Sequence, residues 1–238
     1  MTRVMREPPL SPPLSIVILA RNAAAALPAT LAALDEGRRG KLIREIILAD
    51  GGSTDGTRLV ARAAGAEVLS APVGRGAQLV AGAGRAAGPW LLFLHADTVP
   101  APGWSSAAAA FMADPANSCR AAVFRLVLDD ADPRARRIER LARWRGRVFG
   151  LPYGDQGLLI AADFYRALGG YRPLPLMEDV DFVRRIGRRR LEPLDVAAVT
   201  SAERYRAGGW WLRPLRNLAI LALYFLGVPP RWLQRLYN

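Results

Sequence analysis

Residues 45–57 read EIILADGGSTDGT, and this stretch decides the fold class of the chain. Residues 45–48 are predicted as a strand of a parallel sheet, because such strands carry short, continuous apolar runs. The strand leads to Asp50, and glycines and short oxygen side chains follow it. Glycines let a backbone approach a ligand closely, and such oxygens cap helices. Since ligands of open α/β sheets lie beyond the carboxyl ends of the strands, the stretch predicts a loop that holds a polar ligand. The alternative is an ordinary strand-to-helix turn.

A second apolar run, residues 89–98, reads PWLLFLHADT and ends in the same way. Side chains at positions i and i+2 of an extended segment face one side, so His95 and Asp97 are able to reach one cation or one phosphate-bound metal. His95 is the only histidine of the chain, and the alternative is a strand-end residue whose hydrogen bonds are satisfied within the fold. Two strands thus direct polar groups to one edge of the sheet.

Strands and helices alternate along the first half of the chain, which favours βαβ units. We therefore predict an α/β fold with a central, mostly parallel, twisted sheet flanked by helices. The predicted strands are residues 15–20, 45–48, 67–69, 89–98, 121–128 and 158–161, and the predicted helices include residues 29–34, 57–64 and 134–147.

The composition bounds the class of protein. A chain of 238 residues, 51% hydrophobic and 23% charged, is long enough for one sizeable core. A single cysteine excludes an internal disulfide framework and suits a reducing compartment. Residues 1–13 are predicted as a flexible, proline-rich leader without the apolar centre of a signal peptide. We therefore expect a cytoplasmic protein, with peripheral attachment to the inner membrane face as an option.

The formal charge of +12 invites a nucleic-acid interpretation, since clustered basic residues release counterions from phosphate backbones. Lys41 is the only lysine, however, and the bias towards arginine, alanine and glycine is what a GC-rich coding sequence would give. No nucleic-acid recognition motif is present, so no nucleic-acid partner is expected, and a basic RNA-binding protein is the least favoured alternative.

The C-terminal segment, residues 206–238, is predicted to be helical. It places Trp and Arg residues on both sides of an apolar run, residues 218–226. That run is far shorter than the roughly 20 residues that cross a bilayer. Docking on an anionic membrane surface, with Trp and Arg at headgroup level, is one interpretation. Packing on the core or in an oligomer interface is the other.

Five motifs together resemble the inverting glycosyltransferase family 2 in their order and spacing. They are Ile16-Val17-Ile18, Asp50-Gly51-Gly52-Ser53-Thr54-Asp55, Leu94-His95-Ala96-Asp97-Thr98, Gly154-Asp155-Gln156-Gly157 and Met177-Glu178-Asp179. The chain looks most similar to short bacterial members with the Leu-His-Ala-Asp-Thr form of the metal motif. The resemblance covers residues 14–205 and implies a domain of the GT-A fold, a nucleotide-diphosphate sugar donor, Mn²⁺ or Mg²⁺, and a separate acceptor hydroxyl.

The resemblance also implies a donor side of the site. There Asp50 would hold the nucleobase and Asp55 would support its loop. Asp97 matches the last aspartate of the family's D-x-D motif and would bind the cation, and His95 takes the first acidic position. The donor-side residues implied are Ala20, Asn22, Asp50, Gly51, Ser53, Asp55, Arg75, Gln78, Ala96 and Arg204.

On the acceptor side, Asp179 matches the family's general base, and Asp155, Gln156 and Glu178 would contact the acceptor. The implied reaction is inverting, metal-assisted transfer of a sugar, of the hexosyl type, to a hydroxyl of a lipid-linked or small-molecule acceptor. The alternative is a nucleotide-sugar binding module without turnover. Asp179 separates the two, because a binding module needs no base. The whole interpretation requires that residues 50, 97 and 179 line one cleft.

Two departures from the family pattern affect the donor side. The usual Asn-Glu after the first strand is Asn22-Ala23 here, which removes one carboxylate from that turn. Near the C-terminus, residues 203–206 read ERYR where the family often carries Gln-x-x-Arg-Trp.

Overall fold

The structure is a computed structural model that describes residues 12–237 without the side chain of Arg204. The predicted leader, residues 1–13, therefore lies outside the described residues except for its last two. In the first half, the elements are β1 (Leu14–Ala20), α1 (Leu27–Ala33), α2 (Asp35–Arg39), β2 (Ile43–Asp50), α3 (Thr57–Ala63), β3 (Glu67–Ser70), α4 (Arg75–Arg85), β4 (Trp90–His95), β5 (Thr98–Pro100) and α5 (Trp104–Ala113).

The second half contains longer helices. Its elements are β6 (Ala121–Leu128), α6 (Pro133–Phe149), β7 (Leu158–Ala161), α7 (Ala162–Ala167), α8 (Glu178–Ile186), β8 (Leu191–Thr200), α9 (Glu203–Gly208), α10 (Leu212–Phe225) and α11 (Pro230–Tyr237). Short 3₁₀ turns lie at Pro115–Cys119, Gly154–Gln156 and Arg188–Arg190.

The described strands form one sheet in the order β3-β2-β1-β4-β7-β6-β8-β5. Four of the pairings between these strands are parallel. The other three, which involve β5 and β7, are antiparallel. The predicted α/β class with flanking helices is confirmed, and the sheet is mixed.

The strand register brings the predicted loops together. β1 lies between β2 and β4, with Ala20 level with Asp50 and Leu19 level with His95. The carboxyl ends of these three parallel strands therefore share one edge. β7 runs antiparallel to β4, with Leu158 opposite Phe93, so the turn that precedes β7 lies at this edge too.

β1 is buried along its whole length, because its side chains enter two separate cores. Ile16 and Ile18 belong to one hydrophobic cluster, and Val17 and Leu19 to the other. This explains the uninterrupted apolar run, since neither face of the strand meets water.

The C-terminal helices pack on the domain through a third cluster. It joins Ile220 and Leu221 of α10 and Leu233 of α11 to Val180 and Val183 of α8. This packing is one of the two roles predicted for the segment. Within residues 12–237, no helix is both long and apolar enough to cross a bilayer.

Candidate active site

A cleft lies at the carboxyl end of β4, where the sheet edge meets the C-terminal helices. His95 and Asp97 enter it from the end of β4, and Gly154 and Asp155 from the turn before β7. Asp179 enters it from the first turn of α8. Residues far apart in sequence therefore share one cleft, because β7 is inserted antiparallel beside β4.

The side chain of Asp179 is fixed by two backbone donors. Its Oδ2 accepts a hydrogen bond from the Gly154 amide at 2.8 Å, and its Oδ1 accepts one from the Val180 amide at 2.7 Å. The second bond is local to the helix start, whereas the first crosses to the turn before β7. Met177, just before the helix, has a φ of 65°, which is uncommon for a non-glycine residue and is concentrated at functional sites.

Gly154 is the point at which three elements meet. A Cβ atom added to it would lie 2.8 Å from Nε2 of His95 and 3.6 Å from Oδ2 of Asp179. The first distance is shorter than real contacts allow, so any larger residue would displace His95. Glycine at this position lets the end of β4 and the start of α8 face each other across the cleft.

Two acidic side chains near Asp179 each carry a buried oxygen without a hydrogen bond within the described part of the chain. Oδ1 of Asp155 and Oε2 of Glu178 have no hydrogen-bond partner among the described residues. Burial, reinforced by the carboxylates of Asp179 and Asp97, raises the pKa of Asp155 to about 6, although Arg145 opposes the shift. Burial and the Asp179 carboxylate likewise raise the pKa of Glu178. Both groups therefore gain protons far more readily than an ordinary surface carboxylate.

Asp50 occupies a different environment. Its side chain is fully enclosed, its oxygens accept hydrogen bonds from the Ser53 amide at 3.1 and 3.3 Å, and Nε of Arg58 lies 2.6 Å from Oδ2. Burial acts to raise the pKa of Asp50, but the hydrogen bonds from Ser53 and Arg58 lower it overall.

The expectation that residues 50, 97 and 179 line one cleft is thus wrong for Asp50. Arg58 lies in the first turn of α3 and reaches back to the end of β2, where it pairs with the carboxylate. The structure brings His95, Asp97 and Asp179 together and leaves Asp50 beneath a neighbouring loop.

The loops after β1 and β2 are bound to each other by side chains. Oδ1 of Asn22, a residue with a φ of 50°, accepts from the Thr54 amide at 2.9 Å. The Asn22 amide in turn donates to Oγ of Ser53 at 2.9 Å. Oδ2 of Asp55 accepts from the Ala24 amide at 3.1 Å, and its Oδ1 from the Thr57 amide at 3.0 Å. These bonds hold the two loops as one rigid unit.

Gln78 lies under this unit and not in the cleft. It is buried, and its Nε2 donates to the carbonyls of Ala20 at 2.7 Å and Ala49 at 2.9 Å, which ties β1 to β2. A Cβ atom added to Gly51 would lie 2.9 Å from the Gln78 side-chain amide, which is closer than real contacts allow. Ala20, Gly51 and Gln78 were predicted to contact the donor. In the structure, they contact one another and hold β1 against β2.

Two other residues predicted for the site, Ala96 and Gln156, do not face the cleft, and a third, Arg204, has a side chain outside the described residues. Ala96 is buried, and its carbonyl accepts from Oγ1 of Thr30 at 2.9 Å. Gln156 is buried with its Nε2 donating to the Phe124 carbonyl at 3.0 Å, so its side chain turns towards β6.

Sequence reasoning missed the wall that the C-terminal helices contribute. Arg213, Asn217 and Ile220 of α10 and Tyr237 of α11 line the cleft opposite the sheet edge, and Arg75 of α4 lies near them. The signal was present, because polar residues recur at helical spacing within the apolar segment and indicate a second, polar face.

His95 and Asp97 are the residues able to hold a cation. Among the described residues, no group of three or more His, Cys, Asp or Glu side chains is arranged as a metal cage. Mg²⁺ in sites for phosphorylated substrates is commonly bound by one or two carboxylates together with the phosphate oxygens. The donor set therefore fits a cation shared with a diphosphate.

Comparison with known proteins agrees with this architecture. The profile of the family described as glycosyl transferase family 2 matches residues 15–173. No curated protein gave a significant sequence match. Many solved structures match the fold, among them glucosyl-3-phosphoglycerate synthase from Mycobacterium tuberculosis in several complexes.

The structure of that synthase with Mn²⁺, UDP and glucosyl-3-phosphoglycerate is 19% identical to this chain. The match covers 79% of this chain and 70% of that one, with a TM-score of 0.57. Its complex with Mn²⁺, UDP-glucose and phosphoglyceric acid is 20% identical over 76% of this chain and 68% of that one, with a TM-score of 0.56. At these identities the likeness establishes the fold, which is GT-A.

Proposed function

The chain belongs to glycosyl transferase family 2, and on that premise we propose that it transfers a hexosyl group from a nucleotide-diphosphate sugar to an acceptor hydroxyl with inversion. One observation carries the proposal. The Asp179 carboxylate is fixed by the Gly154 amide in a cleft that it shares with His95 and Asp97. We also group the chain with the short members that carry the Leu94–Thr98 form of the metal motif.

Asp179 acts as the general base. It removes the proton from the acceptor hydroxyl while that oxygen attacks the anomeric carbon from the side opposite the diphosphate. The new carbon–oxygen bond forms as the bond to the diphosphate breaks, so the configuration inverts. The two backbone bonds to Asp179 hold its oxygens in place, and such orientation is a large part of enzymatic rate enhancement.

Asp97 and His95 would hold Mn²⁺ or Mg²⁺ on the donor side. When bound, such a cation stabilises the negative charge that develops on the departing diphosphate. The complexes of the M. tuberculosis synthase contain Mn²⁺ or Mg²⁺ with UDP, which supports the same pairing here. The nucleoside lies over the joined loops after β1 and β2, and Asp50 acts from beneath by fixing Ser53.

We place the enzyme on an anionic membrane surface through the outer face of α10. The exposed residues of that helix and its flanks are almost all apolar, and they are Trp211, Leu212, Leu215, Leu218, Phe225 and Leu226. The arginine-rich helix α6 lies beside them, with the Arg137 guanidinium 5.8 Å from the Trp211 ring. An apolar stripe flanked by arginines complements a lipid surface with negative headgroups.

The deciding experiment compares the parent with Asp179→Asn on a panel of nucleotide sugars with Mn²⁺. We expect donor binding to be retained and transfer to fall by about 10²- to 10⁴-fold, the usual contribution of a general base. Asp163→Asn is the matched control, because Asp163 is exposed on α7. An unchanged transfer rate in Asp179→Asn would remove Asp179 from the mechanism. Donor binding without transfer to any acceptor by the parent would favour the non-catalytic binding module.

A further inference from the structure

Three arginines converge on one aromatic ring in the wall of the cleft. The guanidinium carbons of Arg75, Arg213 and Arg216 lie 5.9, 5.7 and 5.5 Å from the centre of the Tyr237 ring. We call these residues the arginine cluster. They come from α4 and α10, and α11 supplies the tyrosine at their centre.

The arginine cluster forms no direct ion pair within the described residues, although Glu178 and Asp179 act on Arg75 at longer range. Some of the other described arginines form ion pairs, but no described carboxylate lies within 4.0 Å of Arg75, Arg213 or Arg216. Nε of Arg216 and Oδ1 of the adjacent Asn217 are buried without a hydrogen-bond partner among the described residues. Burying charged donors without partners costs free energy, so this arrangement indicates a site that a ligand completes.

The Tyr237 hydroxyl accepts a hydrogen bond from Nη2 of Arg213 at 3.1 Å. A phenol oxygen uses little of the capacity of three guanidinium groups, each of which has several donors in a planar fork. Phosphate oxygens match that fork two at a time.

We propose that the arginine cluster binds a phosphate monoester and that this phosphate belongs to the acceptor. This inference rests on the proposed transferase function, because only a transferase has an acceptor. The donor diphosphate belongs with Asp97 and His95 at the end of β4. Arg213 and Tyr237 belong to the C-terminal wall of the same cleft, and Arg75, which the family resemblance placed on the donor side, interacts electrostatically with Glu178 and the base Asp179. An acceptor whose hydroxyl reaches Asp179 would therefore extend its phosphate to the arginine cluster.

Two sources supply such a phosphate. One is a small water-soluble phosphate ester, and the other is a lipid phosphate held in a membrane. The test uses glycerol 3-phosphate against glycerol for the first source, and phosphatidylcholine vesicles with or without lysophosphatidic acid, a lipid with both a monoester phosphate and a free hydroxyl, for the second. Binding is measured by calorimetry and by vesicle co-sedimentation, without donor and without turnover.

We expect the parent to bind at least one of the two phosphates and neither uncharged counterpart. Arg213→Gln and Arg216→Gln each weaken that binding by about tenfold or more, since a hydrogen bond to a charged group contributes at least that factor. Arg189→Gln, which removes an exposed arginine outside the cleft, leaves binding unchanged. Tyr237→Phe tightens binding, because the competing hydroxyl is gone while the ring is kept. Circular dichroism confirms that each variant is folded.

The outcomes separate this proposal from the transferase itself. Absence of phosphate binding by the parent, or equal loss in Arg189→Gln, overturns the proposal and leaves sugar transfer untouched. If UDP binding falls in Arg213→Gln and Arg216→Gln by the same factor as phosphate binding, the cluster holds the donor and the acceptor assignment is wrong. Phosphate binding that depends on the cluster, in a protein that transfers no sugar, would contradict only the transferase.

Discussion

The loops after β1 and β2, on the donor side, differ from the acceptor side of the cleft in how completely their polar groups are paired. On the donor side, the side chains of Asn22, Asp50 and Asp55 all accept hydrogen bonds from neighbouring loops. On the acceptor side, Asp155, Glu178, Arg216 and Asn217 each keep a buried polar atom without a partner among the described residues.

This contrast indicates that the donor loops are complete before any ligand arrives, whereas the acceptor side is completed by one. Unpaired buried polar groups are costly and are retained mainly where a ligand or a reaction uses them. The donor side therefore contributes stability, and the acceptor side gives up stability for binding. The two sides should respond differently to substitution and to pH.

Among the tests of this contrast, the largest effect is expected from a substitution that fills the space at Gly154. In Gly154→Ala, the new methyl group would press against Nε2 of His95, since the added Cβ lies 2.8 Å away. We expect the rate of sugar transfer to fall by about 10²-fold, as misplacing a catalytic group by about 1 Å can cause. Gly146→Ala on α6 is the control, because nothing lies within 4 Å of its added Cβ and transfer should be unchanged. Equal activity of both variants would show that the spacing at Gly154 is not needed.

The acceptor side should lose stability as the pH rises. The pKa of Asp155 is raised to about 6 in the folded protein. Between about pH 4 and pH 6, the carboxyl is therefore mostly protonated in the folded state and mostly ionised in the unfolded state. Stability from this group is full at low pH and is lost as the pH rises through 6. We expect Asp155→Asn to gain up to about 3 kcal/mol relative to the parent between pH 4 and pH 8. The free energies of unfolding of both proteins are measured in urea at several pH values. A difference between parent and variant that does not change with pH would contradict the prediction.

The donor side should show the opposite sign. Because the pKa of Asp50 is lowered in the folded state, its contribution is present above about pH 4 and is lost as the pH falls through the folded value. Asp50→Asn should cost about 2 kcal/mol at pH 7, as expected for a lost hydrogen bond to a charged group, and less at pH 3. Asp163→Asn, at an exposed pair, should change stability by less than about 0.5 kcal/mol. If the stability lost in Asp50→Asn does not depend on pH, the ion pair with Arg58 is not the source of the contribution of Asp50.

Sequence reasoning predicted the sheet edge better than the side chains that close it. Apolar runs located β1, β2 and β4, and their ends placed His95 and Asp97 at one edge of the sheet, whereas Asp179 was assigned to the same cleft only through the family resemblance. The pairing of Arg58 with Asp50 depends on the orientation of α3 relative to the loop after β2, and no local sequence pattern predicts that orientation.

The C-terminal wall was missed for a related reason. The arginines of α10 fit a membrane-flanking pattern, and the sequence does not say which of them turn inward. Arg213 lines the cleft and Nε of Arg216 is buried, whereas the apolar residues of the same helix face outward. Only the packing of Ile220 and Leu221 on α8 fixes which face is which.

The outer face of α10 provides the smallest expected effect and tests whether the acceptor side meets a membrane. Leu215 is 62% exposed, and Leu215→Glu places a charge in the middle of the apolar stripe. We expect binding to phosphatidylglycerol vesicles to weaken by about tenfold, since burying part of a leucine contributes about 1.4 kcal/mol. Leu59→Glu is the control, because Leu59 is 70% exposed on α3, away from the stripe. Equal vesicle binding by both variants, or a change in oligomeric state confined to Leu215→Glu, would assign this face to a protein contact instead.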